Sequence, residues 1–324
     1  MKKLDIIPLK EKSVTKTNYW RYENGQFKVL PFIKNFLKSA ANRYFFNLLG
    51  LSVVRRDAYR LEQISYPKDQ ELLKIRNKKL SDAIYSHFRD FGVNLSKQDL
   101  EKDILRFDQI FSNSEVQNLN GGMGFNNGLI LFCLASWCKP NKILESGVWR
   151  GFTTYIMNEA TQLNCELLCY DINLGNLKYK VKNARYVEAD ISSDPSLDTE
   201  VIDFAFFDDH VSHFDRITFC IDKNIPVIVL DDDVGVCQLH TDGWPPIPTA
   251  SMIYEYSNIP KRFSWVTHKK NASADIDGID VTTIVGSYDY IPFPKVEYIT
   301  GYKDTSFTSL LLKKDLVQGL ENDN

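Results

Sequence analysis

Residues 142–154, Lys142-Ile-Leu-Glu145-Ser-Gly147-Val-Trp149-Arg-Gly151-Phe-Thr153-Thr154, decide how the rest of the chain reads. An apolar run ending in an acid passes through a turn with two glycines into a segment of helical spacing, which is a strand feeding directly into a helix. Glycine at such a turn permits tight turning and close approach of a ligand to the backbone. A helix that starts after Gly151 also offers N–H groups with no partner inside the helix. Close packing of a helix on a strand wants glycine too, so this turn alone does not separate a ligand site from a packing contact.

Outward from that turn, the runs ILES, LLCY, FAFF and VIVL are apolar nearly throughout, as strands buried on both faces are. GFTTYIMNEATQL, NLKYKVKN and HFDRITFCIDKN alternate with them and read as helices. Such alternation predicts an α/β fold, a doubly wound, mostly parallel Rossmann-like sheet. After Asp233 comes a Pro-containing loop, then a helix near Thr249 to Tyr256. VTTIVGSY and FTSLLLKK read as a closing pair that brings a terminal antiparallel strand. Upstream, residues 69–112 carry apolar positions at three- and four-residue spacing, predicting two helices, with Gly92 ending the first and Ser96 capping the second. The sharpest composition break, Asn118 to Asn127 (NLNGGMGFNN), sets the expected boundary between a basic, mainly helical N-terminal region (1–120) and the Rossmann-like domain (121–324).

Composition limits the function classes. The chain has 324 residues, 44% hydrophobic and 25% charged, enough to bury a core without cross-links. Its six cysteines form no Cys-x-x-Cys pair, and MKKLDIIPLKEK contains no apolar core of a secretory signal, so reduced thiols and a cytoplasmic location are expected. The net charge of −3 is unevenly spread: residues 1–120 hold 22 Lys and Arg against 14 Asp and Glu, and residues 121–324 hold 17 against 28. An acidic second part argues against nucleic acid as a partner. In the stretch 29–54, Phe32, Ile33, Phe36, Leu37 and Ala40 recur at helical spacing, with Lys34, Lys38 and Arg43 interrupting the run. Packing of this face on the protein or on a second copy in a homo-oligomer is favoured over peripheral contact with a membrane.

Asp171 ends the second strand, 20 residues after Gly151, where an acid accepts hydrogen bonds from ribose hydroxyls in nucleotide-binding units. Asp190 ends the third strand, ARYVEAD, where a ligand contact and an N-cap ahead of Ser192-Ser193 are equal readings. Together these residues resemble the class I S-adenosylmethionine-dependent methyltransferases, over roughly residues 122–314. The match is a glycine-rich first motif with a leading acid (Glu145, Gly147, Gly151), acids after the second and third strands (Asp171, Asp190) and a terminal strand pair. The resemblance implies that Gly147 and Gly151 lie under the methionine part of the cofactor, that Asp171 holds the ribose and that Asp190 approaches the adenine. Glu145 and Thr153 belong to the same expected cofactor set. Trp149 stands where the family commonly has a central glycine.

The second constellation is Phe206-Phe207-Asp208-Asp209-His210 after the fourth strand, with Asp231-Asp232-Asp233 after the fifth. Both fall at one edge of the sheet, and that density of carboxylates is costly without a compensating cation or protons. Hard oxygen ligands suit Mg2+ or a similar divalent ion. The arrangement is similar to that of the metal-dependent macrocin-type sugar O-methyltransferases. That likeness implies Asp231 and Asp232 as metal ligands with one of Asp208 and Asp209; Asp208 is taken as the ligand, and His210 and Asp209 as candidate bases. The expected function is therefore S-adenosylmethionine-dependent methylation of a hydroxyl on a small, sugar-like acceptor with divalent-metal assistance. An NAD-dependent or nucleotide-sugar enzyme on the same sheet, and a catalytically silent scaffold, are the competing readings. His213 and Asp215 with His240 or His268 imitate an iron-binding triad, but their helical position marks this as coincidence.

Overall fold

The computed structural model describes residues 70–113, 123–162, 164–234, 247–255, 262–266, 271–275, 281–302 and 307–313. These lie in one compact unit, Tyr66–Asn324, and residues 1–65 fall outside the described residues. The expected amphipathic stretch 29–54, Gly121 and Gly122, His240, Trp244 and His268 also fall outside them.

Seven strands form one sheet. They are β1 (Lys142–Ser146), β2 (Glu166–Asp171), β3 (Ala184–Glu188), β4 (Phe204–Phe207), β5 (Val227–Asp231), and the later pair Tyr288–Pro292 and Phe307–Leu312. The first five run parallel in the order β3-β2-β1-β4-β5. Phe307–Leu312 then pairs antiparallel with β5, and Tyr288–Pro292 pairs antiparallel with it. This is the doubly wound, mostly parallel sheet with a terminal antiparallel strand that the sequence predicts. Its order reverses between β1 and β4, and the crevice outside the strand ends at such a reversal is where open α/β sheets take ligands.

Burial explains the pattern. Phe204, Ala205 and Phe206 of β4 and Ile228, Val229 and Leu230 of β5 are fully buried, because helices cover both faces. Helix α1 (Gln70–Asp90) packs on α2 (Lys97–Asn113), and α2 on α3 (Phe125–Cys138). Helix α3 is apolar on nearly every side and buried from Phe125 to Ala135, as a helix enclosed by other elements must be. Phe125 meets Phe107 and Phe111 edge to face and stacks on Tyr302 at 4.7 Å. The expected boundary at 120/121 lies outside the described residues. Helix α4 (Phe152–Ala160) follows β1, and α5 (His213–Asp222) follows β4, with Ile217 and Cys220 in the core.

Two expectations fail locally. NLKYKVKN is not a helix: a 3-10 turn at Leu174–Asn176 leads into irregular chain. The amides of Lys178 and Tyr179 are drawn to the Arg150 carbonyl at 3.2 and 3.1 Å instead of closing a helical turn. VTTIVGSY is not a strand along its length, because Thr282–Ser287 forms helix α7 before the strand begins at Tyr288. Burial of Ile284 in the core overrides the β-branched preference of the run. Helix α6 (Ala250–Glu255) matches the helix expected there, α8 (Glu297–Thr300) precedes the last strand, and a separate hairpin of Arg262–Val266 with Asn271–Asp275 was not legible. Cys133, Cys165, Cys169 and Cys220 are buried and Cys138 is half-buried, all as free thiols. No helix among the described residues is long and apolar enough to cross a membrane.

Candidate functional site

The glycine turn is built from beneath. Glu145, fully buried, accepts hydrogen bonds from the hydroxyls of Thr153 and Thr154 in the first turn of α4, which pins the helix to the end of β1. Burial pushes its carboxyl up to about 7, against the opposing pull of those hydroxyls. Glu145 and Thr153 therefore face each other below the turn. Gly147 and Gly151 have φ of 94° and 88°. A Cβ on Gly147 would collide with the Asp208 backbone, and one on Gly151 with the Tyr179 carbonyl. Both glycines are thus required by contacts within the chain. The turn between them is held by Asp171, whose Oδ2 accepts the amides of Val148 and Trp149 at 3.0 and 2.7 Å, and whose Oδ1 accepts that of Asn173 at 2.8 Å.

At this edge the α4 start has no side-chain cap at Gly151, so backbone N–H groups are offered there. Beside it stand the carboxylate of Asp171 and the exposed Glu188, its register partner on β3, which accepts the Leu174 amide at 2.9 Å and which the sequence reading did not single out. Asp190 takes a different part. It caps the turn Ile191–Ser193 through the Ser192 amide, and its other oxygen accepts from Arg216 at 2.6 Å. Burial would raise its carboxyl, but the Arg216 and Ser192 bonds outweigh that and hold it at about 2.

The acid cluster lies on the other side of the strand-order reversal. The Asp208 amide bonds to the Ser146 carbonyl at 2.8 Å, which seats the start of the loop after β4 against β1. The two aspartates then separate. Asp209 accepts from the Ser146 hydroxyl at 2.6 Å, from Arg216 Nε at 2.8 Å and from the Val211 amide at 3.1 Å. Asp208 instead joins His210 and Asp232, which can bring one ligand atom each within 4.8 Å of one another. His210 Nδ1 is 3.6 Å from Asp232 Oδ2. His210 and Asp232 both have left-handed backbone (φ 59° and 58°), a conformation that Asp and His tolerate better than most residues. Burial and the charge of Asp232 push the Asp208 carboxyl well up, and burial and the charge of Asp208 do the same for Asp231. Carboxylates gathered this closely leave the site short of positive charge, which suits a divalent cation.

Two other sequence candidates are structural. Asp233 accepts from the Ser251 amide at 2.7 Å and from the Tyr290 hydroxyl at 2.9 Å. His213 receives the Ala250 amide on Nδ1 at 3.0 Å, which makes Nε2 the donor to the Asp231 carbonyl at 2.9 Å. That neutral tautomer is favoured by burial, which lowers the imidazole pKa. Arg216 was missed, although the spacing His213, Arg216, Ile217, Cys220 places it on the buried face of α5.

No family model matches the chain, and no curated protein matches it. Solved structures do. The SAH-bound Podospora anserina methyltransferase PaMTH1 is 12% identical over 77% of this chain and 99% of its own, with a TM-score of 0.38. The O-methyltransferase TomG from Streptomyces achromogenes, involved in tomaymycin synthesis and solved with SAM, is 14% identical over 64% of this chain and 89% of its own, with a TM-score of 0.36. A cmcI structure with Mg and SAM is 16% identical over 32% of this chain, which spans half (50%) of that chain, with a TM-score of 0.29.

Proposed function

We propose that the protein is an S-adenosylmethionine-dependent O-methyltransferase that acts on a hydroxyl of a small, sugar-like acceptor with the help of a divalent cation. The observation that carries the reading is the juxtaposition at one reversal of strand order: an uncapped helix start and Asp171 on the β1–β2 side, and Asp208, His210 and Asp232 on the β4–β5 side. When bound, S-adenosylmethionine supplies a methyl group on a sulfonium, and Mg2+ or a similar ion supplies Lewis acidity toward the acceptor oxygen.

The chain's own residues do the rest. The backbone around Gly151 and the carboxylates of Asp171 and Glu188 orient the donor, and Asp208 with Asp232 holds the cation, Asp231 lying against Asp208. The acceptor's hydroxyls would be received at the same end of the sheet, next to the donor, since methyl transfer needs an in-line approach. His210, half-exposed beside Asp232, accepts the acceptor's proton. Asp209 is not assigned as a base, since its carboxylate is committed to Arg216 and Ser146. The sugar-like character of the acceptor rests on the resemblance to macrocin-type enzymes.

Calorimetric titration of the protein with S-adenosylhomocysteine and, separately, NAD, each with and without Mg2+, tests the proposal. Micromolar binding of S-adenosylhomocysteine alone is expected. Binding of NAD, or of neither, overturns it. Asp208→Asn is expected to abolish Mg2+ binding while cofactor affinity measured without Mg2+ stays within about 3-fold, as removal of a direct ligand requires.

A further inference from the structure

Arg216 is 3% exposed, on the face of α5 that turns into the core. Its Nη2 donates to Asp190 Oδ2 at 2.6 Å and its Nε to Asp209 Oδ2 at 2.8 Å. Asp190 follows β3 on the side assigned to the cofactor, and Asp209 lies between Asp208 and His210 of the acid cluster. Asp209 also receives the Ser146 hydroxyl at the end of β1. One buried guanidinium thus joins the ends of β3 and β4, and Asp209 in turn holds the end of β1. Its planar fork fixes the direction of each bond, which a flexible ammonium could not do toward two carboxylates at once.

We propose that Arg216 is a positioning residue that couples the cofactor edge to the acid cluster, so that filling one strengthens the other. The inference rests on the methyltransferase reading. A shift of the turn after β3 reaches Asp209 through a rigid, doubly bonded group. Asp208 and His210, its neighbours on either side, move with Asp209 relative to Asp232. Coupling of this kind is reciprocal by thermodynamic necessity.

The test is calorimetric, on the full-length protein: S-adenosylhomocysteine titrated without and with saturating Mg2+, and Mg2+ without and with saturating S-adenosylhomocysteine. Each ligand is expected to tighten the other by about 5-fold or more. In Arg216→Lys, which keeps the charge and loses the fork, that factor should fall toward one. Asp190→Asn, changed outside the cluster, should weaken Mg2+ by about 5-fold, an effect that a local structural role at Asp190 would not produce. This variant also carries the test should Arg216→Lys not fold. No coupling in the native protein, coupling unchanged in Arg216→Lys, or Mg2+ affinity indifferent to Asp190→Asn overturns the inference. Failure of S-adenosylhomocysteine to bind the native protein overturns the methyltransferase reading and this inference with it, whereas binding without coupling overturns this inference alone.

Discussion

Glu145 is a carboxyl whose titration bears on folding. Below its ordinary value of 4.5 both folded and unfolded chains hold the proton; between there and about 7 only the folded chain does. Its contribution to stability is therefore full at low pH and declines by up to ~3 kcal/mol as pH rises through that window. His213 works in the opposite sense, since its lowered pKa means that stability is lost as pH falls below 6.5. Urea unfolding at pH 5 and pH 8 separates the two: Glu145→Gln should flatten the loss at pH 8, and an unaltered slope in that variant would count against the assignment. At the site, His210→Asn should lower kcat by about 10²- to 10⁴-fold while Mg2+ affinity stays within about 3-fold. Loss of Mg2+ binding in this variant would move His210 into the ligand set.

At the scale of the element, the turn between β1 and α4 is the most demanding in the sheet. Gly147→Ala combines positive φ with a collision against the Asp208 backbone, so it should cost at least ~3 kcal/mol. Gly92, with φ of 77° and nothing within 4 Å of an added Cβ, gives the control: Gly92→Ala should cost only ~1 kcal/mol. Equal losses in thermal unfolding would refute the steric part of this account. The strands here were legible because ILES, LLCY, FAFF and VIVL are buried on both faces and carry their pattern locally. Segment 176–183 was not, since what keeps it from coiling is the Arg150 carbonyl, a partner 28 residues upstream of Lys178 that no local spacing shows. The site divides the same way. Acids at strand ends are visible in the order of the chain, but the parting of Asp208 from Asp209 is decided by Arg216 and Ser146, from other elements.

For the whole molecule, Phe107 and Phe111 tie α2 to α3 through Phe125, and α1 packs on α2, where Asn77 donates to Asp108 at 3.1 Å. A fragment of residues 66–324 should unfold in one transition and keep cofactor affinity within about 3-fold, as a self-contained unit does. A fragment starting at residue 121 should not fold, because it strips the cover from Phe125 and Phe132. A cooperative transition in the shorter fragment would disprove this division. The thiols add a built-in readout. Cys133 lies in α3, Cys169 in β2 and Cys220 in α5, each buried, and burial pushes all three thiols well above their ordinary value, so the reactive thiolate is suppressed in the closed molecule. Alkylation at each must then await a local opening, and the labelling rates of three natural cysteines map, without any engineered probe, which layer of the molecule breathes first.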